Sequence, residues 1–120
     1  MNEKEILFNI IKEPYYCLLE VHVHYANSPI TSKLKEVIDK LIFRDRVRKI
    51  LFDLSKVEFV DSSFIGAIVY AYKNLLQQEG KIAVVIQSAS VSDRFLIAHL
   101  DTLFKIFNNM NEAKNYLIEN

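Results

Sequence analysis

Apolar and polar residues follow one another along this chain with two different periods, and the period indicates which segments are strands and which are helices. Residues 17–24 carry an apolar side chain at every second position, which is the pattern of a strand with one buried face. Residues 6–11 form a shorter apolar run, and Pro14 marks a turn between the two segments. The first part of the chain therefore predicts two strands that can pair as an antiparallel hairpin.

The next segment predicts a helix followed by a buried strand. Ser28 is suited to cap the helix and Pro29 to occupy its first position, and the segment 44–48 ends it. Apolar residues recur between these limits at the spacing of one helical face: Leu34, Val37, Ile38, Leu41 and Ile42. Residues 49–54 have a continuous apolar centre, which is typical of a strand in the middle of a sheet that helices cover.

A second helix is predicted from residue 61 to about residue 78. Its inward face is defined by residues that recur at helical spacing: Ile65, Ile68, Val69, Tyr72 and Leu76. Phe64 falls outside that face. We therefore expect the Phe64 side chain to be exposed to solvent, where an aromatic ring is suited to anchor a partner protein.

The remainder of the chain repeats the order of strand and helix. Gly80 fits the position just past the end of the second helix. Residues 82–86 predict another buried strand, 91–100 a short helix, 103–107 a last strand and 111–118 a closing helix. A strand, a crossover helix and a further strand, repeated, imply parallel pairing.

These elements predict the fold class. The length of 120 residues fits one domain, and two glycines and two prolines leave no visible interdomain linker. We expect residues 1–120 to form a single α/β domain. Its mixed sheet has four or five strands, and about four helices pack against one or both faces of the sheet.

Composition narrows the range of functions. The 15 basic and 15 acidic residues cancel, so no net charge attracts nucleic acid directly. The longest apolar run, 64–72, is far shorter than the roughly 20 residues of a membrane span, and no signal-peptide pattern precedes it. Cys17 is the single cysteine, which excludes an intrachain disulfide and a thiolate metal cage. We expect a cytoplasmic protein with no membrane span.

Catalytic and metal-binding patterns are weak. His22 and His24 share one face of a strand, but no third and fourth ligand lies nearby in sequence. The chain has no Gly-x-Ser-x-Gly elbow and no glycine-rich phosphate loop. Asp53, at the end of a central strand, lacks the acidic pair that a phosphoacceptor aspartate of the receiver type needs to hold magnesium. We expect no catalytic residue, no metal and no cofactor, and therefore no enzyme.

Asp61, Ser62 and Ser63 begin the second predicted helix, and on their own they are explained as a helix cap. Their surroundings are more specific. Residues 53–66 read Asp-Leu-Ser, then hydrophobic-x-Phe-hydrophobic, Asp-Ser-Ser and Ile-Gly. This segment resembles the signature of the STAS-domain family, and specifically of its anti-sigma factor antagonists.

The resemblance continues beyond the signature and covers most of the chain after Ser28. It includes Gly80-Lys81 before an apolar strand and the segment Leu103-Phe104-Lys105-Ile106. It implies the STAS fold and a protein-binding function that regulates sigma-factor-dependent transcription.

In the family, the serine directly after the aspartate is phosphorylated by the partner, an anti-sigma factor that is also a serine kinase, and a phosphoserine phosphatase reverses the step. That position here is Ser62. The implied partner-binding surface consists of Asp61, Ser62, Ser63 and Phe64. A STAS scaffold without phosphorylation, part of a larger signalling or transport assembly, is the alternative.

The chain departs from the family at Phe64, where the family usually has glycine. Glycine leaves room for a partner's backbone, whereas phenylalanine adds a large apolar side chain. Two alternatives follow from an exposed ring at this position: it would clash with a standard kinase, or it would anchor a different partner.

Overall fold

A mixed sheet of strands forms the centre of the molecule, and the computed structural model describes residues 7–119. The strands are β1 (Phe8–Lys12), β2 (Cys17–Val21), β3 (Tyr25–Ala26), β4 (Lys49–Leu54), β5 (Phe59–Val60), β6 (Lys81–Ile86) and β7 (Lys105–Phe107). The α-helices are α1 (Ser28–Asp39), α2 (Ser62–Leu76), α3 (Ala89–Ile97) and α4 (Met110–Glu119). The predicted start of the first strand at residue 6 lies outside the described residues.

Five strands make the main sheet, in the order β1-β2-β4-β6-β7. β1 pairs with β2 in antiparallel fashion, and every other pair in this sheet is parallel. Each parallel neighbour is reached through a crossover helix, since α1, α2 and α3 follow β2, β4 and β6 along the chain. The predicted mixed α/β sheet and its antiparallel hairpin are therefore confirmed.

Helices cover both faces of the sheet, unequally. In β4 the side chains of Ile50, Phe52 and Leu54 join the larger core, which α1, α2 and α3 cover. Leu51 points to the other face and packs in a smaller core with Leu117 of α4. The side chains of these four β4 residues and of Leu117 are fully buried. Burial on both faces explains why the centre of β4, from Ile50 to Phe52, is continuously apolar.

Two strands were not predicted, because each contains only two residues and so has no period to recognise. β3 and β5 pair in parallel, with Tyr25 opposite Phe59 and Ala26 opposite Val60. The main-chain amide of Asp61 then donates to the carbonyl oxygen of Ala26 at 3.1 Å. This small ribbon joins the two segments that lead into α1 and α2, and it thereby holds the starts of those helices side by side.

The first helix begins and ends slightly differently from the prediction. Asn27, not Ser28, is the residue before the first turn, and Ser28 is already helical. At its other end α1 continues into a π-helical turn, Lys40–Arg44, in which the amide of Asp45 donates to the carbonyl oxygen of Lys40. The helical segment therefore ends at Arg44, at the edge of the predicted limit.

The end of α2 is closed by two main-chain hydrogen bonds, one of which involves Gly80. The amide of Gly80 donates to the carbonyl oxygen of Leu75 at 2.7 Å, and the amide of Glu79 donates to that of Leu76 at 3.2 Å. This is the Schellman arrangement, in which the residue just past the helix is left-handed. Here that residue is Glu79, with φ of 61°, and Gly80 lies one position later.

Gly80 is required by close packing rather than by its backbone angles. A Cβ atom at this position would collide with the carbonyl oxygen of Arg48, and it would lie 3.1 Å from the Leu75 side chain. That Arg48 oxygen accepts the amide of Lys81 at 3.0 Å, so it cannot move without disturbing the sheet.

We predict that Gly80→Ala lowers the free energy of unfolding by about 1–3 kcal/mol, the range of substitutions that force a backbone shift. Gly66→Ala is the matched control, because nothing lies within 4 Å of a Cβ atom there. It should stabilise α2 by about 0.5–1 kcal/mol. Urea unfolding of both variants measures the difference; equal stabilities would contradict the proposed collision.

Candidate functional site

Asp61 caps the first turn of α2. Its backbone is extended, with φ of −96° and ψ of 175°, and its Oδ1 accepts the amide of Phe64 at 2.9 Å. The same oxygen accepts the hydroxyl of Ser63 at 2.7 Å. The interpretation of this segment as a helix cap is confirmed, and Asp61 is the capping residue.

The Ser63 hydroxyl belongs to a polar cluster between the starts of α1 and α2. Its Oγ lies 3.2 Å from Oγ1 of Thr31 and 3.5 Å from Oγ of Ser28. Thr31 in turn donates to the carbonyl oxygen of Asn27 at 3.1 Å. With these neighbours, and with its proton on Asp61, the Ser63 hydroxyl is engaged in holding the two helix starts together.

Ser62 and Ser63 are both exposed, but their hydroxyl groups differ in bonding. Ser62 is the first residue of α2. No side chain or carbonyl group among residues 7–119 forms a hydrogen bond with its hydroxyl. Of the two adjacent serines, Ser62 therefore has the hydroxyl that a second molecule can reach without breaking an existing bond.

Phe64 is not exposed, so the prediction for its side chain is wrong. It is 0% exposed and packs in the larger core. The buried face of α2 is rotated from the predicted one. Ile65, Val69 and Tyr72 are half-buried at its edge, and Leu76, which was also predicted to face inward, is 55% exposed. The fully buried members of this face are Phe64, Ala67, Ile68, Ala71 and Leu75. A ring in this position does not contact a partner directly, and it leaves the surface beside Ser62 free of its bulk.

Hydrogen bonds set the charge state of the Asp61 carboxyl. Burial alone would raise its pKa. The amide of Phe64 and the hydroxyl of Ser63 donate to the carboxylate, and the nearby amides of Ser63 and Ser28 also lower its pKa. Together they outweigh burial, so the pKa of Asp61 lies below its usual value. The cap is therefore an anion throughout the physiological pH range.

An open groove of about 660 Å³ runs beside Ser62, between α2 and α3. Ser62 and Ile65 line it from α2, and Arg94 and Ile97 line it from α3. Ile97 is 77% exposed, which is unusual for an isoleucine. The contribution of α3 to this surface was not predicted from the sequence. The signal that could have indicated it is the adjacent apolar pair Leu96-Ile97, which lies outside the buried face of α3.

The other candidates have structural roles. Asp53 accepts the amide of Ser55 at 3.0 Å in the turn after β4. Nε2 of His22 lies 3.1 Å from Glu20, and Nδ1 of His24 lies 3.4 Å from Glu58. Within the described part of the chain, no group of three or more histidine, cysteine, aspartate or glutamate side chains could hold a metal ion. Nor does any helix there have the length and apolar character to cross a membrane.

Comparison with known proteins agrees with this arrangement of strands and capped helix. The family model described as the STAS domain matches residues 23–113. The chain belongs to the STAS-domain family. The matched region of this STAS domain includes β3, β5, the capped start of α2 and the groove beside it.

Relatives of this STAS domain include antagonists of anti-sigma factors. A Thermotoga neapolitana protein named as an anti-sigma factor antagonist is 29% identical over 104 residues, covering 83% of this chain and 92% of the relative. An anti-sigma factor antagonist from Mycobacterium paratuberculosis has a similar structure, with a TM-score of 0.83 at 18% identity, covering 92% of each chain.

The anti-sigma factor antagonist SpoIIAA also shares the fold. Its unphosphorylated form has a TM-score of 0.73 at 14% identity, covering 93% of this chain and 97% of SpoIIAA. Its phosphorylated form has a TM-score of 0.72 at 16% identity, covering 91% and 97%. The STAS fold is therefore present in both the unphosphorylated and the phosphorylated form of SpoIIAA.

The burial of Phe64 has a direct consequence for stability. We predict that Phe64→Ala lowers the free energy of unfolding by about 3–5 kcal/mol, as truncation of a buried phenylalanine does. Leu76→Ala is the matched control on the same helix, because Leu76 is 55% exposed and should lose less than about 1 kcal/mol. Denaturant unfolding gives both values, and similar losses in the two variants would place Phe64 outside the core.

The lowered pKa of Asp61 has a defined effect on stability. Because the folded protein binds the Asp61 proton more weakly than the unfolded chain, the stabilisation is complete above the unfolded pKa of about 3.9 and is lost as the pH falls towards the folded pKa. We predict that the advantage of wild type over Asp61→Asn, which keeps a capping oxygen but cannot ionise, shrinks on acidification. Urea unfolding at pH 7 and near pH 3 measures it; a constant difference would contradict the prediction.

Proposed function

We propose that this STAS domain is an anti-sigma factor antagonist that binds its partner through the start of α2 and is switched by phosphorylation of Ser62. The observation that carries the proposal is the contrast between two neighbouring serines. Both are exposed, but the Ser62 hydroxyl has no hydrogen bond among residues 7–119, whereas the Ser63 hydroxyl donates to Asp61. Ser62 is also the serine directly after the aspartate, the position that the family modifies.

The chemistry of the modification fits an exposed hydroxyl. The Ser62 oxygen attacks the γ-phosphorus of ATP, the bond to the leaving ADP oxygen breaks, and the serine proton passes to a base on the kinase. ATP and the catalytic groups belong to the partner, an anti-sigma factor with serine kinase activity, and a phosphoserine phosphatase restores the hydroxyl. The domain itself acts by binding rather than by catalysis.

The position of Ser62 lets the domain carry the phosphate without unfolding. The group adds about −1.5 to −2 charges at neutral pH. At the first residue of α2, the free amides and the helix dipole favour an anion by typically about 0.3–1 kcal/mol. Asp61 repels it with an energy of similar order, so the two effects roughly cancel.

Binding of the partner responds differently. A partner surface that accommodates a neutral hydroxyl would have to bury a dianion, which must lose its water without gaining a counter-charge from the partner. Phosphorylation therefore blocks association by local charge and bulk, with the fold unchanged. The unmodified protein binds the anti-sigma factor, and the sigma factor is released.

Burial of Phe64 supports a kinase of the usual family type. The family glycine is replaced here by a large side chain, but that side chain lies in the core. The surface around Ser62 and Gly66 carries no extra bulk, and a Cβ atom at Gly66 would meet nothing within 4 Å. A buried Phe64 ring neither clashes with a standard kinase nor anchors a different partner.

The test is phosphorylation of the purified domain by the anti-sigma factor kinase of the same organism. We predict one phosphate, at Ser62, located by mass spectrometry after incubation with ATP and Mg²⁺. Ser62→Ala should remain unmodified, and Ser63→Ala, the matched control, should still be modified at Ser62. The modified protein should melt within a few degrees of the unmodified one and bind the kinase at least about tenfold more weakly, the effect of 1.4 kcal/mol.

Calorimetric titration of the kinase with the two forms gives the affinities. A phosphate on Ser63 would contradict the assignment of the acceptor. Equal affinity of the two forms would contradict the switch. Tight binding of the kinase without any modification would favour the non-phosphorylated scaffold instead.

A further inference from the structure

Arg94 brings a positive charge to the groove that Ser62 lines. The two residues come from different helices, Ser62 from the first turn of α2 and Arg94 from the middle of α3. Arg94 is exposed, and no carboxylate of residues 7–119 forms an ion pair with it. Its neighbour Asp93 also lines the groove. Asp61 directly precedes Ser62 in the chain.

The guanidinium of Arg94 is held close to the segment that leads into α2. Its central carbon lies 4.8 Å from the centre of the Phe59 ring, in cation–π contact. Phe59 belongs to β5, three residues before Ser62. The start of α3 is joined to the same strand region, because the hydroxyl of Ser88 donates to the carbonyl oxygen of Glu58 at 3.4 Å.

We propose that Arg94 binds the phosphate of phosphorylated Ser62 within the same molecule, an inference that rests on the proposed function of Ser62. A phosphoserine presents three acceptor oxygens, and the planar fork of a guanidinium can donate to two of them at once. The Phe59 ring contacts the guanidinium, and no carboxylate of residues 7–119 forms an ion pair with its N–H groups. The positive end of the α2 dipole also favours an anion at this position.

This contact gives the modified site a defined structure. The phosphate is held on its own domain across the groove, where it joins α2 to α3 and covers the surface between them. Arg94 also offsets the repulsion from Asp61 and Asp93, which would otherwise favour the singly charged form of the phosphate. The second pKa of the phosphate is therefore lower with Arg94 present than without it.

The experiment uses the full chain with phosphoserine installed at position 62 during translation, so that no kinase is needed. Titration followed by ³¹P NMR gives the second pKa of the phosphate. An exposed ion pair of about 0.2–1 kcal/mol corresponds to a shift of roughly 0.2–0.7 pH unit. We predict that Arg94→Gln raises the phosphate pKa by that amount, and that thermal melting shows the variant to be folded.

Lys73→Gln is the matched control, because it removes one exposed positive charge from the last part of α2. It should leave the phosphate pKa unchanged. An equal pKa in the Arg94→Gln and parent phosphoproteins would overturn the inference, as would an equal shift in the Lys73→Gln control. Because phosphoserine is installed directly, a kinase that fails to modify Ser62 contradicts the proposed function and not this contact.

Discussion

The hydrogen bond from the amide of Phe64 to the Asp61 carboxylate fixes the first turn of α2, and the arrangement of the site depends on it. The same carboxylate engages the hydroxyl of Ser63, and the amide of Asp61 is bonded to Ala26. Ser62 lies between these fixed neighbours, so its backbone is held in place while its own hydroxyl is left unbonded. The Asp61 cap therefore holds the Ser63 hydroxyl in a hydrogen bond and leaves the Ser62 hydroxyl accessible.

The strands and helices that could be predicted from the sequence are those with a repeated pattern of apolar residues. β4 is found at Lys49–Leu54, as predicted, because the central residues of a strand covered on both faces must be apolar. Asp61 was recognisable as a cap by residue type and by its place between strand and helix. The ribbon of β3 and β5 could not be predicted, because two residues carry no period and their pairing is determined by tertiary contacts.

The orientation of Phe64 shows where a pattern is ambiguous. Apolar residues continue without interruption around the first turns of α2, so several rotations of the helix agree with the sequence equally well. In the structure the largest side chain is buried, and the smaller Ile65 and Val69 lie at the margin. The residue at this position therefore contributes to the interior, and its ring adds no bulk to the outer surface near Ser62.

The unequal covering of the sheet separates two regions of different local stability. Among the helices of residues 7–119, α4 alone covers one face, through a small core, whereas the capped start of α2 belongs to the larger core on the opposite face. Proteins open locally in cooperative units, and units with few buried contacts open first. Transient detachment of α4 would expose the back of the sheet and leave the serine-bearing turn intact. The start of α2 on one face is thereby insulated from fraying at the other.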